Sequence, residues 1–396
     1  MSLMDLEEAQ ERLLALAPSL TTERVPVERA RNRVLAADLT ANRTQPDADL
    51  SAMDGYAIVG DGPWRRIGES RAGKPFEGRL NTGEAVRIST GAALPQGADR
   101  VLIQENAQIE SSAEGDRIAA SETPAAGQHV RLRGFDFTAG ATVLEKGALL
   151  GPAQIALALA AGHGSLEVKC RPRMAVLDSG DELASDPEKC GPAQIPASNG
   201  AMLGAMLAPW IGECERVGPV PDNPDALAAA LSRTEEADIL ITSGGASVGD
   251  HDLVQQALVD WGADLAFWKV AIKPGKPLMV ASRERDRGRQ VILGLPGNPV
   301  SSFVTGFLFA LPLVRATMGM QRPLPPERKA IAADALPATG PRREFLRGIR
   351  EGPAVRLAET QDSSALLALA RADCLIARPA EAPSVEAGME VRVYDL

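Results

Sequence analysis

Apolar positions near the amino terminus recur with the period of a helix. Leu6, Ala9, Leu13 and Leu16 follow Asp5, and Pro18 ends the run, so residues 5–17 are predicted as an amphipathic helix. A second helix is predicted over 27–37. From Thr44 to about His129 the texture changes to short β-rich runs at 56–59, 85–88 and 100–103, cut by glycine and proline. This stretch reads as a small β insert. Helical character returns at 154–161, which predicts that the first helices and this one form a single region interrupted by the insert. After Arg173, apolar β-branched runs at 174–177 and 238–242 alternate with helical windows at 199–209, 223–234 and 252–261. That alternation predicts βαβ units and a mostly parallel sheet. Pro323 to Pro326 reads as a linker, and the strand-rich remainder suits a small barrel or sandwich.

Composition narrows the picture. At 396 residues the chain exceeds the reach of one hydrophobic core, which predicts roughly two to four domains. The apolar fraction of 45% and the mixed charge exclude a disordered or fibrous chain, and aromatic residues at 4% leave little material for base-stacking platforms. With a formal net charge of −10, the chain repels phosphate backbones, so nucleic acid is not an expected partner and any anionic ligand needs a local positive site. The four cysteines show no CxxC spacing, so reduced thiols are expected. Acidic residues stand where a signal peptide needs positive charge, and no run approaches about 18 uninterrupted apolar residues. A cytoplasmic protein without a membrane span is the expectation.

Three segments carry chemistry. The run from Leu240 to Asp252 reads strand, glycine-rich turn, helix, and includes Ser243, Gly244, Gly245, Ser247, Gly249 and Asp250. A turn at the carboxyl end of a parallel strand is where open α/β sheets bind ligands, and its small residues let backbone N–H groups approach phosphate. Asp250 and Asp252 can cap the incoming helix or hold a cation that bridges to phosphate. Lys273-Pro-Gly-Lys276-Pro places two cations around a rigid turn, the local positive well that this acidic chain otherwise lacks. Leu295-Pro296-Gly297-Asn298-Pro299, with Ser301 after it, joins a predicted strand to a predicted helix.

In that order, Gly-Asp181-Glu182-Leu, TSGGASVGDHD, KPGKP and LPGNPVSS resemble the molybdopterin-binding domain of molybdenum-cofactor biosynthesis. Upstream, Ser51-Ala-Met-Asp54-Gly-Tyr-Ala57 and Arg87-Ile-Ser-Thr90-Gly-Ala, followed by Gly97-Ala-Asp99 and Glu105, resemble the β insert of the molybdopterin molybdenumtransferases, the family of MoeA and the gephyrin E domain. The resemblance spans essentially the whole chain. It implies a multidomain α/β fold: a discontinuous helical linker domain (1–43 and 138–170), a β-rich insert (44–137), an α/β molybdopterin-binding domain (171–322) and a C-terminal β-barrel (323–396). It further implies an elongated homodimer in which the insert of one protomer faces the α/β domain of the other, and a reaction in which adenylylated molybdopterin and molybdate give the molybdenum cofactor and AMP.

The resemblance and the chemistry it implies assign roles. Asp54 is a catalytic candidate by its match to the family. Glu182, Asp238 and Asp252 are candidates because cleaving a phosphoanhydride needs carboxylates that hold a cation, with Glu182 and Asp252 expected to hold Mg2+ or another divalent ion. Lys273 and Lys276 are candidates as the positive donors that receive molybdate. Thr90, Asp136, the Ser243–Asp250 turn, the Pro296–Ser301 turn, Arg347 and Ser363 are implied to contact substrate. Asp54 and Asp136 also fit ordinary turns, Glu182 a helix cap and Asp238 a surface charge. The three histidines show no metal-ligand spacing. The chain departs from the family pattern at Asp178, where Ser or Thr is usual, and at Asp362, where Gly is usual. Both departures add negative charge near the proposed anion site. An adenylyltransferase acting one step earlier and a non-catalytic pterin-nucleotide scaffold are the competing readings.

Overall fold

Strands in the centre of the chain are apolar along their whole length, the mark of a sheet covered on both faces. In the computed structural model, which describes residues 3–113, 115–244 and 253–396, Cys214–Val220, Met174–Ser179, Ile239–Ser243 and Gln290–Leu295 lie side by side in that order and run parallel. Pro277–Arg283 runs against them and Asp264–Lys269 against it, completing a six-stranded sheet. The pleat divides the side chains: Met174, Val176, Ile239 and Ile241 enter one core, while Ala175, Leu177 and Leu240 enter another. Helices Asn199–Leu207 and Pro299–Thr305 cover the first face, and Pro224–Arg233 and Leu253–Asp260 the second.

Helix Pro299–Thr305 continues through a π turn, Gly306–Ala310, into Leu311–Thr317. By length and composition this segment could cross a membrane, yet 83% of its apolar window is buried within the protein. It is the central pillar of the larger core. The first helix, Leu6–Ala15, forms as predicted, with the Asp5 carboxylate accepting the N–H of Glu7 at 3.2 Å. Its apolar stripe, Leu6, Ala9 and Leu13, packs into this same core.

The region built from both sides of the insert is therefore less helical than expected. Strand Thr22–Pro26 pairs antiparallel with Ser165–Lys169, Leu39–Thr40 pairs with Thr142–Leu144, and Pro152–Ala160 is the helix packed on them. The predicted helix over 27–37 is a single 3-10 turn, Val27–Arg29. Pro26 ends a strand there, and Asn32 takes a left-handed conformation (φ 59°) that a continuing helix does not allow.

The insert is a six-stranded mixed sheet with Gly55–Ile58 between Arg100–Ile103 and Glu84–Ile88. Gly55 is needed for packing: a Cβ there would lie 2.0 Å from the Leu102 carbonyl oxygen. At the carboxyl end Arg343–Glu351, Ala354–Leu357, Glu327–Ala332, Glu390–Asp395 and Cys374–Arg378 close into a five-stranded ring, because the first also pairs with the last. Closure resolves the choice between barrel and sandwich. Strand Ile272–Lys273 of the α/β domain joins the ring beside Arg343–Glu351 and stitches the two domains together. All four cysteines are free thiols.

Gly55→Ala is expected to destabilise the insert by about 1–3 kcal/mol, the usual cost of overpacking. Hydrogen exchange should accelerate in 55–58 and 100–103 and stay unchanged in the α/β sheet.

Candidate functional site

Strand register brings three loops to one line. Asp178 pairs with Ser243, and Ser243 with Leu295, so the three central strands finish at the same height. Beyond them the turns converge. Gly244 takes φ +94°, and a Cβ on it would lie 2.3 Å from the Ser179 carbonyl oxygen; one on Gly297 would lie 3.6 Å from the Gly244 Cα. Only glycine tolerates the first of these positions. The turns border a cavity of about 640 Å³ lined by Ser179, Glu182, Asn199, Ser243, Gly244, Gly297, Asn298 and Pro299, and by Ser364 and Leu366 of the barrel. This is the location at which open α/β sheets bind ligands.

The side chain that ties the turns together is Asn199, which sequence reasoning missed. Its amide nitrogen donates to Ser243 Oγ at 2.9 Å and to the Gly297 carbonyl oxygen at 2.7 Å. Asp178, which also lines the cavity, is buried at 4% exposure; its Oδ1 accepts the Gly200 N–H at 3.1 Å and its Oδ2 faces Arg216 at 3.5 Å. Burial pushes its carboxyl above the ordinary range, opposed by Arg216 and the Gly200 N–H.

The fourth wall comes from the barrel. Asn298 donates to Ser363 Oγ at 3.2 Å, and the Val300 N–H donates to the Ser363 carbonyl oxygen at 3.1 Å. Arg347 holds this loop in place and is almost fully buried at 1% exposure. Its guanidinium donates to the carbonyl oxygens of Thr360 and Asp362 at 2.9 and 3.0 Å, and its own N–H donates to Gln361 Oε1 at 2.8 Å. Arg347 thus supports the loop whose Ser364 and Leu366 line the cavity. The Asp362 carboxylate is occupied by the backbone N–H and hydroxyl of Ser364, and hydrogen bonds from Ser364 hold its carboxyl below the ordinary range.

The remaining predicted residues divide into groups. Glu182 is exposed and lines the cavity. Pro296 leads into the turn, and Ser301 is buried in the first turn of the helix that follows. Asp238 lies at the opposite end of the sheet, immediately before Ile239–Ser243, where its carboxylate accepts the Arg173 N–H at 2.9 Å and faces Arg285 at 3.8 Å. The structure does not bring it to the crevice. Lys273 is exposed but paired with Glu344 at 3.0 Å across the domain seam; Lys276 is exposed beside it. Gly275 between them packs on the same helix that starts at the LPGNP turn, since a Cβ there would lie 2.5 Å from Thr305 Cγ2.

In the insert, Asp54 accepts the Thr90 N–H at 2.6 Å. That backbone N–H, followed by the Thr90 hydroxyl, holds the Asp54 carboxyl below the ordinary range, so it is anionic at neutral pH. Asp54-Gly55 is the start of a central strand, not a hairpin turn. Asp136 is exposed in the turn whose backbone bonds to Gln45. None of these insert residues lines the crevice of its own chain. Gly245, Ser247, Gly249, Asp250 and Asp252 lie outside the described residues. Among the described residues no group of three or more acidic, histidine or cysteine side chains is placed to hold a metal.

Comparison with known proteins matches this arrangement along its length. Residues 4–162 match the MoeA N-terminal region (domains I and II), 175–316 the molybdopterin binding domain, and 329–396 the MoeA C-terminal region (domain IV). The chain is 34% identical to the molybdopterin molybdenumtransferase of Haemophilus influenzae over 99% of its own length and 98% of the relative's. It is 33% identical to molybdopterin molybdenumtransferase 2 of Mycobacterium tuberculosis, with 94% of each covered. The crystal structure of the molybdopterin biosynthesis MoeA protein of Pyrococcus horikoshii superposes over all of both chains with a TM-score of 0.85 at 26% identity. With its three regions matched in order and full-length relatives above 30% identity, the chain belongs to the MoeA family.

Proposed function

We propose that the chain is a molybdopterin molybdenumtransferase, which takes adenylylated molybdopterin and molybdate to the molybdenum cofactor and AMP, in the cytoplasm. One observation carries this reading: a crevice at the carboxyl ends of the central strands has one wall supplied by the C-terminal barrel through Ser364 and Leu366, with the neighbouring Ser363 tied to Asn298 of the α/β domain. The competing reading, an adenylyltransferase acting one step earlier, rests on the α/β domain alone and gives the barrel wall no part. The scaffold reading gains no specific observation.

Cleaving a phosphoanhydride depends mainly on positioning and on neutralising charge. Backbone N–H groups of Ser243, Gly244, Gly297 and Asn298 are suited to the phosphates, with Asn199 keeping the two turns together. Mg2+ is commonly held by one or two carboxylates together with substrate phosphates, a donor set that exposed Glu182 on the cavity wall fits. When bound, held by Glu182 with Asp252, the ion would offset negative charge on the phosphate oxygens. Molybdate, as substrate, needs fixed positive donors. Lys276 is the better candidate, because Lys273 shares its charge with Glu344. Asp54 would reach this site only from a second protomer, which gives its anionic, Thr90-bonded carboxylate a role in a homodimer.

Lys276→Ala is expected to raise the molybdate concentration for half-maximal AMP release about ten- to a hundredfold, the worth of a charge-assisted hydrogen bond, and Lys273→Ala less. Calorimetric titration with adenylylated molybdopterin should change little in either variant; a collapse there would assign the lysines to phosphate instead. For the two-protomer site, Asp54→Asn and Glu182→Gln should each abolish most AMP release, and co-expressed mixed dimers should regain part of it. Mixtures as inactive as the separate variants would place each site within one protomer.

A further inference from the structure

We infer that Asp178 is a positioning residue for the crevice: it anchors the amino end of helix Asn199–Leu207 so that the Asn199 amide reaches both Ser243 and Gly297. The inference rests on the crevice being the pterin-nucleotide site. It begins from an incomplete helix end. Ser198, at the N-cap, makes no side-chain hydrogen bond to the helix, leaving first-turn N–H groups without the usual local acceptor. Asp178 supplies one from the neighbouring strand, 22 residues away in sequence, by accepting the Gly200 N–H at 3.1 Å. A carboxylate at a helix amino end also faces the positive end of the helix dipole.

Two further contacts lock the arrangement. Arg216 faces Asp178 Oδ2 at 3.5 Å and donates to the Ala197 carbonyl oxygen at 3.0 Å, so the segment entering the helix is held from the same side. Gly200 leaves the room this needs, since a Cβ there would lie 2.4 Å from Asp178 Oδ2. The Ser or Thr usual at 178 in the family offers one hydroxyl oxygen; a carboxylate offers two acceptors, one for the helix and one for Arg216. The added negative charge is directed into these partners, which reconciles it with an anion-binding crevice. Asn199, the residue before Gly200, then lies between the two turns that border the cavity.

A double-mutant cycle on the full-length enzyme tests this. Asp178→Ala and Asn199→Ala should each raise the KM for adenylylated molybdopterin about tenfold, the scale of a lost hydrogen bond, with a smaller change in kcat. The double variant should be no worse than the poorer single variant, and Asp178→Asn, which keeps an acceptor oxygen, should recover most of the loss. Losses that multiply, or a fall in melting temperature with KM unchanged, would overturn the inference. Hydrogen exchange without substrate reads the positioning itself: Asp178→Ala should accelerate exchange in 198–202, and unchanged exchange there would also overturn it. A wild-type protein that releases no AMP would sink the functional reading while leaving that exchange result to stand or fall alone.

Discussion

Everything at the crevice depends on the common height at which three parallel strands end. The pairings of Asp178 with Ser243 and of Ser243 with Leu295 deliver three turns to one edge of the sheet. A shift of one residue would exchange the two faces of a strand, sending Val176 and Ile241 out of the larger core and Leu177 into it. The two apolar cores therefore enforce the register, and the register places the turns. Gly244 and Gly297 then allow the turns to approach until backbone nearly meets backbone.

The barrel participates in the same geometry. Strand Ile272–Lys273 pairs with Arg343–Glu351, and four strand positions further along that same strand Arg347 supports the loop carrying Ser363. One continuous strand thus connects the lysine segment to the crevice wall. A buried guanidinium is costly unless its donors are used. Arg347 places two of them on the carbonyl oxygens of Thr360 and Asp362 and so fixes the shape of this loop, while its Nε has no hydrogen-bond partner among the described residues.

Much of this was legible in the sequence, and the failures have physical causes. The parallel sheet followed from alternating apolar runs and helical windows, and the glycine-rich turns from their position after strands. Asn199 carried no motif, because its partners stand 44 and 98 residues away and only the folded sheet unites them. Asp238 was misplaced although the signal was present: a residue opening a parallel strand lies at the edge opposite the ligand side. Arg347 matches a position implied to contact substrate, whereas in the fold it is buried within a barrel strand and bonds to the loop carbonyls of Thr360 and Asp362. The pairing of Lys273 with Glu344 carried no sequence signal because the two stand 71 residues apart. The helix predicted over 27–37 fails because Asn32 turns the chain with a left-handed backbone.

The central claim is that the pterin nucleotide occupies the crevice between the strand-end turns and the barrel loop. Hydrogen exchange of the full-length protein with and without adenylylated molybdopterin tests it most directly. Protection is expected together in 195–200, 243–244, 297–300 and 361–366. Protection of the α/β turns with no change in 361–366 would contradict the barrel's part in the site, and protection confined to other surfaces would contradict the crevice itself.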